Sequence, residues 1–414
     1  MTAELVDTTP KTGAAGFLAE LEEVVEAAKA GAARRDRTRE YARMEIEALR
    51  RIRFWALTVP PEFGGLGLGP ETVMAAVFAL ARVDGSLSQI PQNHFASVER
   101  IRLTTTGDQR NLWLGRLGAG AVLGNATAEP GERHPGEHGT AVVYDGSGWT
   151  LSGRKVYATG SLLSDHIAVA AKDHTGAVRT VVVDTSAPGV VIQDDWNGLG
   201  QRTTASGTAE FHDVAVADHA VLPAAVDPVA TYRISGFSQL IHAAIDAGIA
   251  AGAVDEAVGL DRRVHAGRGS GVRAFTDDAL GVAQLGELHI TALTARRLVE
   301  AAATRLAHLH RDSDLTTVVD VFYEVAAAKV VSTRAALAVT TALFDIGGTA
   351  STTPALGLDR YWRDARTHTL HDAVRWKPNS IARWLLDAEV ADPWSIGAPF
   401  ACIDDLRQPE RSTP

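Results

Sequence analysis

The stretch GTAVVYDGSGWTLSGRKVYATG, residues 139–160, separates the middle of the chain from the regions on either side of it. It is rich in β-branched and aromatic residues, and Asp145-Gly146 and Gly153 stand where hairpin turns reverse a chain. Similar short runs follow it: HIAVAAKD, VRTVVVDT, GVVIQDDW and GTAEFHDVAV. This alternation of short strand and turn predicts a small antiparallel sheet or barrel over residues 121–222.

Both regions flanking this block are helical in pattern, because their apolar residues recur at three- and four-residue spacing. Residues 1–120 predict an N-terminal helical domain, broken by proline and glycine in TVPPEFGGLGLGPE at 58–71. Residues 223–414 contain four long segments that predict a four-helix bundle, near 230–262, 280–310, 315–345 and 358–386. The predicted fold class is therefore α+β and mostly α, with a helical domain, a β-barrel-like domain and a bundle.

Composition narrows the class of protein. The 414 residues are 46% apolar and 22% charged, as in ordinary globular proteins, and a net charge of −10 disfavours nucleic acid as a partner. The single cysteine, Cys402, fits a reducing compartment. No basic-then-apolar leader and no apolar run near 18 residues is found, so we expect a cytoplasmic protein that does not enter membranes.

Two histidines stand three residues apart in RDARTHTLHD, residues 363–372. On a helix, His368 and His371 share one face. No second histidine or carboxylate pair at ligand spacing lies on the same element, so no metal site is predicted. Dinucleotide, nucleotide-triphosphate and α/β-hydrolase signatures are also missing from the sequence.

Several stretches resemble a known fold in the same order. TVPPEFGGLGLGPE, LSGRKVYATGSLLSDHIAVAA, GLGQRTTASGTAEFHDVAV and LDRYWRDARTHTLHD are similar to segments of the acyl-CoA dehydrogenase fold. IPQNHF, DDWNGLGQRTTASGT and THTLHD narrow the resemblance to flavin-dependent monooxygenases related to dibenzothiophene monooxygenase. Within these, the chain most resembles the sulfur-acquisition oxidoreductases and methanesulfinate monooxygenases.

The resemblance implies a two-component monooxygenase. Reduced FMN from a separate flavin reductase reacts with molecular oxygen, and the resulting C4a-hydroperoxyflavin oxygenates a small organosulfur compound such as a sulfinate, sulfide or sulfone. Nitrogen hydroxylation, an FAD-dependent acyl-CoA dehydrogenase and a flavin-binding scaffold without activity are the alternatives. The dehydrogenase alternative lacks its glutamate base in the last segments. A homo-oligomer, tetramer or dimer, is also implied.

The same resemblance assigns three histidines to catalysis. His371 is expected to donate or accept the proton beside the flavin–oxygen adduct, a task that suits an imidazole. His368 is expected beside it as a flavin or oxygen contact, and His94 on the substrate side. For each histidine the alternative is a core residue that hydrogen-bonds locally.

Flavin contacts are implied for GNATAE and YATGS, where small residues let a backbone approach a flat ring. Asn125 and Thr127 would contact the isoalloxazine, and Tyr157, Thr159 and Gly160 would line its other side; an ordinary turn is the alternative. In GVRAFTDDALGVAQLGEL, Arg273 would bind the phosphate of a neighbouring subunit's flavin, with Gln284 as a second candidate, unless Arg273 is a solvated loop residue.

Two loops depart from the family pattern. GGTAST at 347–352 has Ala350 where relatives have arginine, which favours FMN over FAD. Residues 129–140 form a variable loop with His134 and His138, and we expect either a lid over the substrate or a surface loop there.

Overall fold

Two helical regions flank a seven-stranded sheet in the computed structural model, which describes residues 13–131, 139–260, 271–394 and 399–407. The α-helices are α1 (Ala14–Thr38), α2 (Arg43–Arg51), α3 (Pro70–Val83), α4 (Gly85–Gln89), α5 (Gln92–Thr104), α6 (Gly107–Gly118), α7 (Pro228–Leu260), α8 (Ala279–Ala307), α9 (Leu315–Gly347), α10 (Asp359–His368), α11 (Lys377–Asp387) and α12 (Ile403–Leu406). The strands are β1 (Leu123–Ala126), β2 (Ala141–Tyr144), β3 (Trp149–Lys155), β4 (His166–Lys172), β5 (Val178–Asp184), β6 (Val190–Ile192), β7 (Ala209–Val216), β8 (Glu389–Ala391) and β9 (Phe400–Cys402). The mostly helical α+β class is confirmed.

The predicted break between α2 and α3 is a tight turn. A Cβ atom at Gly65 would lie 1.8 Å from the Val59 carbonyl oxygen, so only glycine lets the chain fold back there. Pro70 then begins α3, where its missing N–H costs no helical hydrogen bond. Asp84 ends α3 and caps α4 by accepting hydrogen bonds from two backbone amides.

The strands of the main sheet are ordered β1-β4-β2-β3-β7-β6, with β5 paired to β4. Most neighbours are antiparallel, but β1 pairs with β4 in parallel, with Leu123 opposite His166. The prediction of an antiparallel sheet is wrong at this point. The chain passes through β2 and β3 between β1 and β4, and a connection of that length permits parallel pairing.

Three of the four predicted bundle segments are confirmed as α7, α8 and α9. The fourth is wrong, because the chain leaves the helix after His368 and starts a new helix at Lys377. Pro378 stands in the first turn of that new helix, a position that proline favours and that a continuous helix would not tolerate.

Helix α7 is the axis of the molecule. It packs against α8 and α9 and also against α3, so the two helical regions share one apolar core. By length and composition, α7 and the segment Leu315–Thr352 could each cross a membrane, yet 83% and 56% of their apolar windows are buried inside the protein. Their hydropathy is thus that of core helices.

Candidate active site

A line of buried polar side chains crosses the bundle. Lys329 of α9 places its Nζ 2.8 Å from Asp246 Oδ2 on α7, and Asp246 Oδ1 lies 2.5 Å from His368 Nδ1. The Thr333 hydroxyl also donates to Asp246 Oδ2, at 2.8 Å. Lys329 and Asp246 are fully buried. Buried charges are tolerated when they are paired in this way.

The Asp246 carboxylate decides which nitrogen of His368 carries the proton. Burial alone would raise the pKa of Asp246, but the charges of Lys329 and His368 outweigh it and hold that pKa below its usual range. An ionised carboxylate accepts hydrogen bonds only, so we assign the His368 proton to Nδ1. His368 Nε2 is then left as an acceptor.

A third imidazole continues the line. His242 of α7 places Nδ1 3.0 Å from His368 Nε2, so Nδ1 donates and His242 Nε2 keeps a free lone pair. That Nε2 atom is buried, and it has no hydrogen-bond partner among the described residues. We call Lys329, Asp246, His368 and His242 the relay.

His371 lies against the open end of the relay. Its ring centroid is 3.8 Å from that of His242, at an interplanar angle of 31°. His371 keeps access to solvent, whereas His242 is fully buried. Loss of hydration lowers the pKa of His242 and His368, and it lowers that of His371 to about 4 even though this ring keeps some access to solvent, so all three rings are neutral at pH 7.

The two predicted histidines do come together, but not on one helix face. His368 is the last residue of α10 and His371 lies in the turn after it, closed by a bond from the His371 amide to the His368 carbonyl. Both rings meet His242 on a different helix. The helical explanation of their spacing is therefore wrong.

A second ion pair holds this turn in place. Lys377 Nζ lies 2.7 Å from Asp372 Oδ2 and 3.1 Å from Gln239 Oε1. Gln239 precedes His242 by about one turn of α7. The turn between α10 and α11 is thus tied to the helix that carries the relay.

The β-domain presents a rim of hydroxyl and amide groups. Thr127 donates to Asn125 Oδ1 at 2.7 Å, and the hydroxyls of Thr159 and Ser206 lie 2.7 Å apart. Thr127 is exposed, while Asn125 and Thr159 are half-buried. Donors and acceptors of this kind match the pyrimidine edge of a flavin.

Beside this rim, Tyr157 has a strained backbone and an exposed side chain. Its φ of 53° is left-handed, which costs a bulky residue about 1–3 kcal/mol, and its side chain is 60% exposed. It meets the Trp196 ring edge to face at 6.0 Å. Gly160 follows with φ 75°. An exposed aromatic ring held against its backbone preference is a feature of ligand sites.

The rim and the relay are held on neighbouring elements. At the start of α5, Gln92 donates to Ser238 on α7 at 2.8 Å, and Asn93 donates to the Gly124 carbonyl on β1 at 3.4 Å. The loop before β7 makes a second link, since the Gly200 amide donates to Thr367 of α10. These links place both groups at the junction of β-domain and bundle.

His94 belongs to the core instead. Its Nε2 lies 2.7 Å from the Trp55 carbonyl, and its Nδ1 accepts the Leu123 amide at 3.1 Å. The ring is inaccessible to solvent, and burial lowers its pKa to about 4. With both nitrogens bonded to backbone, His94 matches the alternative of a core histidine, and its assignment to catalysis stays a prediction.

Arg273 and Gln284 lie away from the rim. Arg273 is exposed ahead of α8, and Gln284 lines a cavity of about 240 Å³ together with Gly347 and Gly348. No described contact joins either residue to Asn125 or Thr159. Their predicted phosphate role therefore depends on a second copy of the chain.

The loop at 129–140 is described only at its two ends. Glu129 Oε1 accepts from Lys155 Nζ at 2.6 Å and from the Thr140 amide at 2.9 Å. His134 and His138 lie outside the described residues. Glu129 thus anchors both ends of the loop, whatever lies between them.

The sequence patterns did not identify Asp246, Lys329 and His242, although a signal was present. Each is an ionisable residue inside an apolar helical run, IHAAIDAGIAAG or VAAAKVV. Such residues stay buried only with partners, so their coincidence in two core helices indicates a buried network.

Known proteins are similar to this chain over most of its length. Three family models match successive regions: the acyl-CoA dehydrogenase N-terminal domain over 16–121, its middle domain over 126–214 and its C-terminal domain over 240–376. A dibenzothiophene monooxygenase of Rhodococcus erythropolis is 31% identical over 386 residues, 88% of this chain and 92% of the relative. The probable FMNH2-dependent monooxygenase SfnC of Pseudomonas putida is 29% identical, over 83% and 88% of the two chains.

Solved structures of related enzymes are also similar to this chain in fold. FMN-bound TdsC from Paenibacillus sp. A11-2 has a TM-score of 0.87 at 27% identity and covers 92% of this chain and 100% of its own. Methanesulfinate monooxygenase MsuC from Pseudomonas fluorescens has a TM-score of 0.83 at 28% identity, with 91% and 98% covered.

Proposed function

The chain belongs to the flavin-dependent monooxygenases that share the acyl-CoA dehydrogenase fold, and we propose that it uses reduced FMN to oxygenate a small organosulfur compound. The substrate class is a sulfinate, sulfide or sulfone, as the names of its relatives suggest. The observation that carries the proposal is the open end of the relay, His242 Nε2, stacked behind the accessible His371 ring.

The residues at the rim suit FMN. The Asn125 amide and the hydroxyls of Thr127 and Thr159 offer donors and acceptors to the pyrimidine edge, and the exposed Tyr157 ring offers a flat apolar surface. Reduced FMN, when bound, would activate molecular oxygen, and dioxygen would supply the atom that is transferred.

The histidines manage the proton. His371, neutral at pH 7, can donate a hydrogen bond to an anion beside it, and its low pKa rises when such an anion arrives. His242 Nε2 can accept a proton while His242 Nδ1 passes its own to His368 Nε2. The resulting His368 cation is stabilised by Asp246.

The carboxylates of the site argue against an acyl-CoA dehydrogenase. Asp246 is bonded through both oxygens, to His368 and to Lys329, and Asp372 is paired with Lys377. A base that removes a carbon-bound proton must be free to reach it. Asp246 does not meet that condition, and Asp372 is restrained by Lys377 through Oδ2, although Asp372 Oδ1 has no partner among the described residues.

Partners follow from the same reasoning. A flavin reductase is needed to supply reduced FMN, and we place both proteins in the cytoplasm. Exposed apolar side chains on α8 suit a homodimer or homotetramer, and they are Leu280, Val282, Ile290, Leu293 and Leu298. Association through α8 could bring Arg273 to the flavin phosphate of another subunit.

The test supplies the purified protein with FMN, a flavin reductase, oxygen and a panel of sulfinates, sulfides, sulfones and amines. We expect an oxygenated sulfur product with one oxygen atom from 18O-labelled dioxygen, measured by mass spectrometry. Hydroxylated amines as the only products would move the reaction to nitrogen. Reduction of bound FAD by an acyl-CoA, without oxygen transfer, would contradict the proposal.

A further inference from the structure

A second cavity, of about 470 Å³, lies beside α7 on a different face from the relay. Arg233 and Phe237 of α7 line it, and His242 follows Phe237 by five residues, about 140° round the helix. The other walls are the turn at 58–70, α5, α6 and the turn between α8 and α9. The volume is that of a small-molecule site.

The lining is strongly basic. Among the described residues it contains Arg102, Arg110, Arg233 and Arg311, with Glu99 as the acidic member. Glu99 already pairs with two of these arginines. Its Oε2 atom lies 2.6 Å from Arg102 Nη1, and its Oε1 atom lies 3.3 Å from Arg233 Nη2. Two guanidinium groups, those of Arg110 and Arg311, therefore have no carboxylate partner within the described part of the chain.

The arginines repel one another. Burial lowers the pKa of Arg233, Glu99 opposes that shift, and the charges of Arg102 and Arg311 add to it. Arg311 also donates to the Arg102 carbonyl at 2.5 Å, which holds the Arg311 guanidinium against the backbone of Arg102. An anion between these groups would relieve the repulsion.

One residue that lines the cavity has a buried hydroxyl without a hydrogen-bond partner. Thr58 lines it, is only 6% exposed, and its Oγ1 has no hydrogen-bond partner among the described residues. A buried polar atom without a partner costs about 1–3 kcal/mol, so a rearrangement of Thr58 that lets its hydroxyl bond a ligand atom would be favoured. The remaining lining is largely apolar and includes Leu68, Leu103, Phe237, Leu306 and Leu309.

We propose that this cavity binds a small organic oxoanion, whose charged head contacts the arginines and whose apolar body contacts the leucines and Phe237. The planar guanidinium fork matches sulfonate, phosphate and carboxylate heads. An inorganic anion alone would leave the apolar wall and most of the volume unused. The turn TVPPEFGGLGLGPE, to which the proposed oxygenation gives no role, thereby gains a function as one wall of the site.

Calorimetric titration of the FMN-loaded full-length protein tests the proposal. The probes are 1-hexanesulfonate, hexyl phosphate and hexanoate, with sulfate as a head without a body and 1-hexanol as a body without a head. We expect one site per chain for at least one hexyl anion and at least tenfold weaker binding of sulfate and hexanol. Affinity should also fall as chloride is raised. Sulfate binding as tightly as the hexyl anions, or no hexyl anion binding, would overturn the proposal.

Variants locate the site. Replacing Arg110 and Arg311 together by methionine should weaken binding at least about tenfold, because two charge-assisted contacts are lost. Thr58→Val, which keeps the shape and removes the hydroxyl, should weaken it several-fold. Arg154→Met on β3, whose guanidinium pairs with Glu210 opposite it on β7 and does not line the cavity, is the matched control and should bind normally.

One further variant separates this site from the proposed oxygenation. His371→Ala should bind the hexyl anion with unchanged affinity, whatever happens to its turnover. A parallel loss in His371→Ala with none in the Arg110 and Arg311 variant would place the anion beside the histidines and overturn the proposal.

Discussion

Two buried clusters of this protein contain histidine, and they differ in how their hydrogen bonds end. His94 is closed on both sides by backbone, between the Trp55 carbonyl and the Leu123 amide. The relay starts at Lys329 and ends at His242 Nε2, which meets no partner in the described structure. Burial lowers the histidine pKa in both clusters. A low pKa therefore does not distinguish the two clusters, whereas an unpartnered nitrogen at the end of the hydrogen-bond chain does.

The largest effect should follow from breaking the buried end of the relay. Lys329→Met leaves the Asp246 charge uncompensated in the core, so the free energy of unfolding should fall by about 3–5 kcal/mol in urea titrations. The double variant Lys329→Met with Asp246→Asn removes both charges, so its free energy of unfolding should fall by less than that of the single variant. A loss below about 1 kcal/mol in the single variant would show that the pair is not buried as described.

Removing the accessible imidazole of His371, which lies against the end of the relay, should slow catalysis but leave stability nearly unchanged. His371→Ala should slow sulfur oxygenation at least about 100-fold, because a positioned proton carrier is lost. Its free energy of unfolding should change by less than about 1 kcal/mol, since the ring is accessible. His212→Ala, on the exposed face of β7, is the control. Equal rates in the two variants would remove the role of His371.

Replacing His94, which is bonded to backbone through both nitrogens, should reduce stability more than catalysis. His94→Ala removes two hydrogen bonds and leaves a cavity, so unfolding should become easier by about 2–4 kcal/mol. The oxygenation rate per folded molecule should fall far less than in His371→Ala. A large fall in the oxygenation rate with little change in the free energy of unfolding would instead assign His94 to the substrate site.

The free energy of unfolding at acidic pH should also report on the buried His94. The folded-state pKa of His94 is lowered to about 4, so between pH 6.5 and 4 the unfolded chain binds a proton that the folded chain does not. Stability is therefore complete above about pH 6.5 and falls by about 1.4 kcal/mol per pH unit for this group as pH drops. His94→Gln should show a shallower decline in urea titrations across this range. An unchanged slope would mean that His94 titrates normally.

The smallest effect concerns the rim. Tyr157→Asn places a residue that tolerates left-handed backbone at φ 53°, so the melting temperature should rise slightly, by the equivalent of about 1 kcal/mol. FMN affinity, measured by fluorescence titration, should fall because the flat ring is gone. Stabilisation with unchanged FMN binding would assign Tyr157 no part in the site. Tyr144→Asn, at an exposed position on β2, is the matched control and should change neither quantity markedly.

Local patterns predicted most of the architecture. The helical spacing of α7, α8 and α9, the strand rhythm of 121–222 and the break at 58–71 depend on neighbours in sequence, and each is present in the structure. The parallel pairing of β1 with β4 and the end of α10 at His368 were missed. Both depend on distant strands or on a proline ten residues on, which local periodicity does not contain.

The sequence alone determined the order of helical and β regions, the fold family and the histidine motif at 367–372, because these follow from periodicity and from short motifs. Only the tertiary structure decided which partners the histidines meet. It joined Lys329, Asp246 and His242, from two helices, to His368, and it closed His94 within the core. Whether a buried imidazole is left with an unpartnered nitrogen depends on contacts between residues far apart in the chain, and these form only when the helices pack.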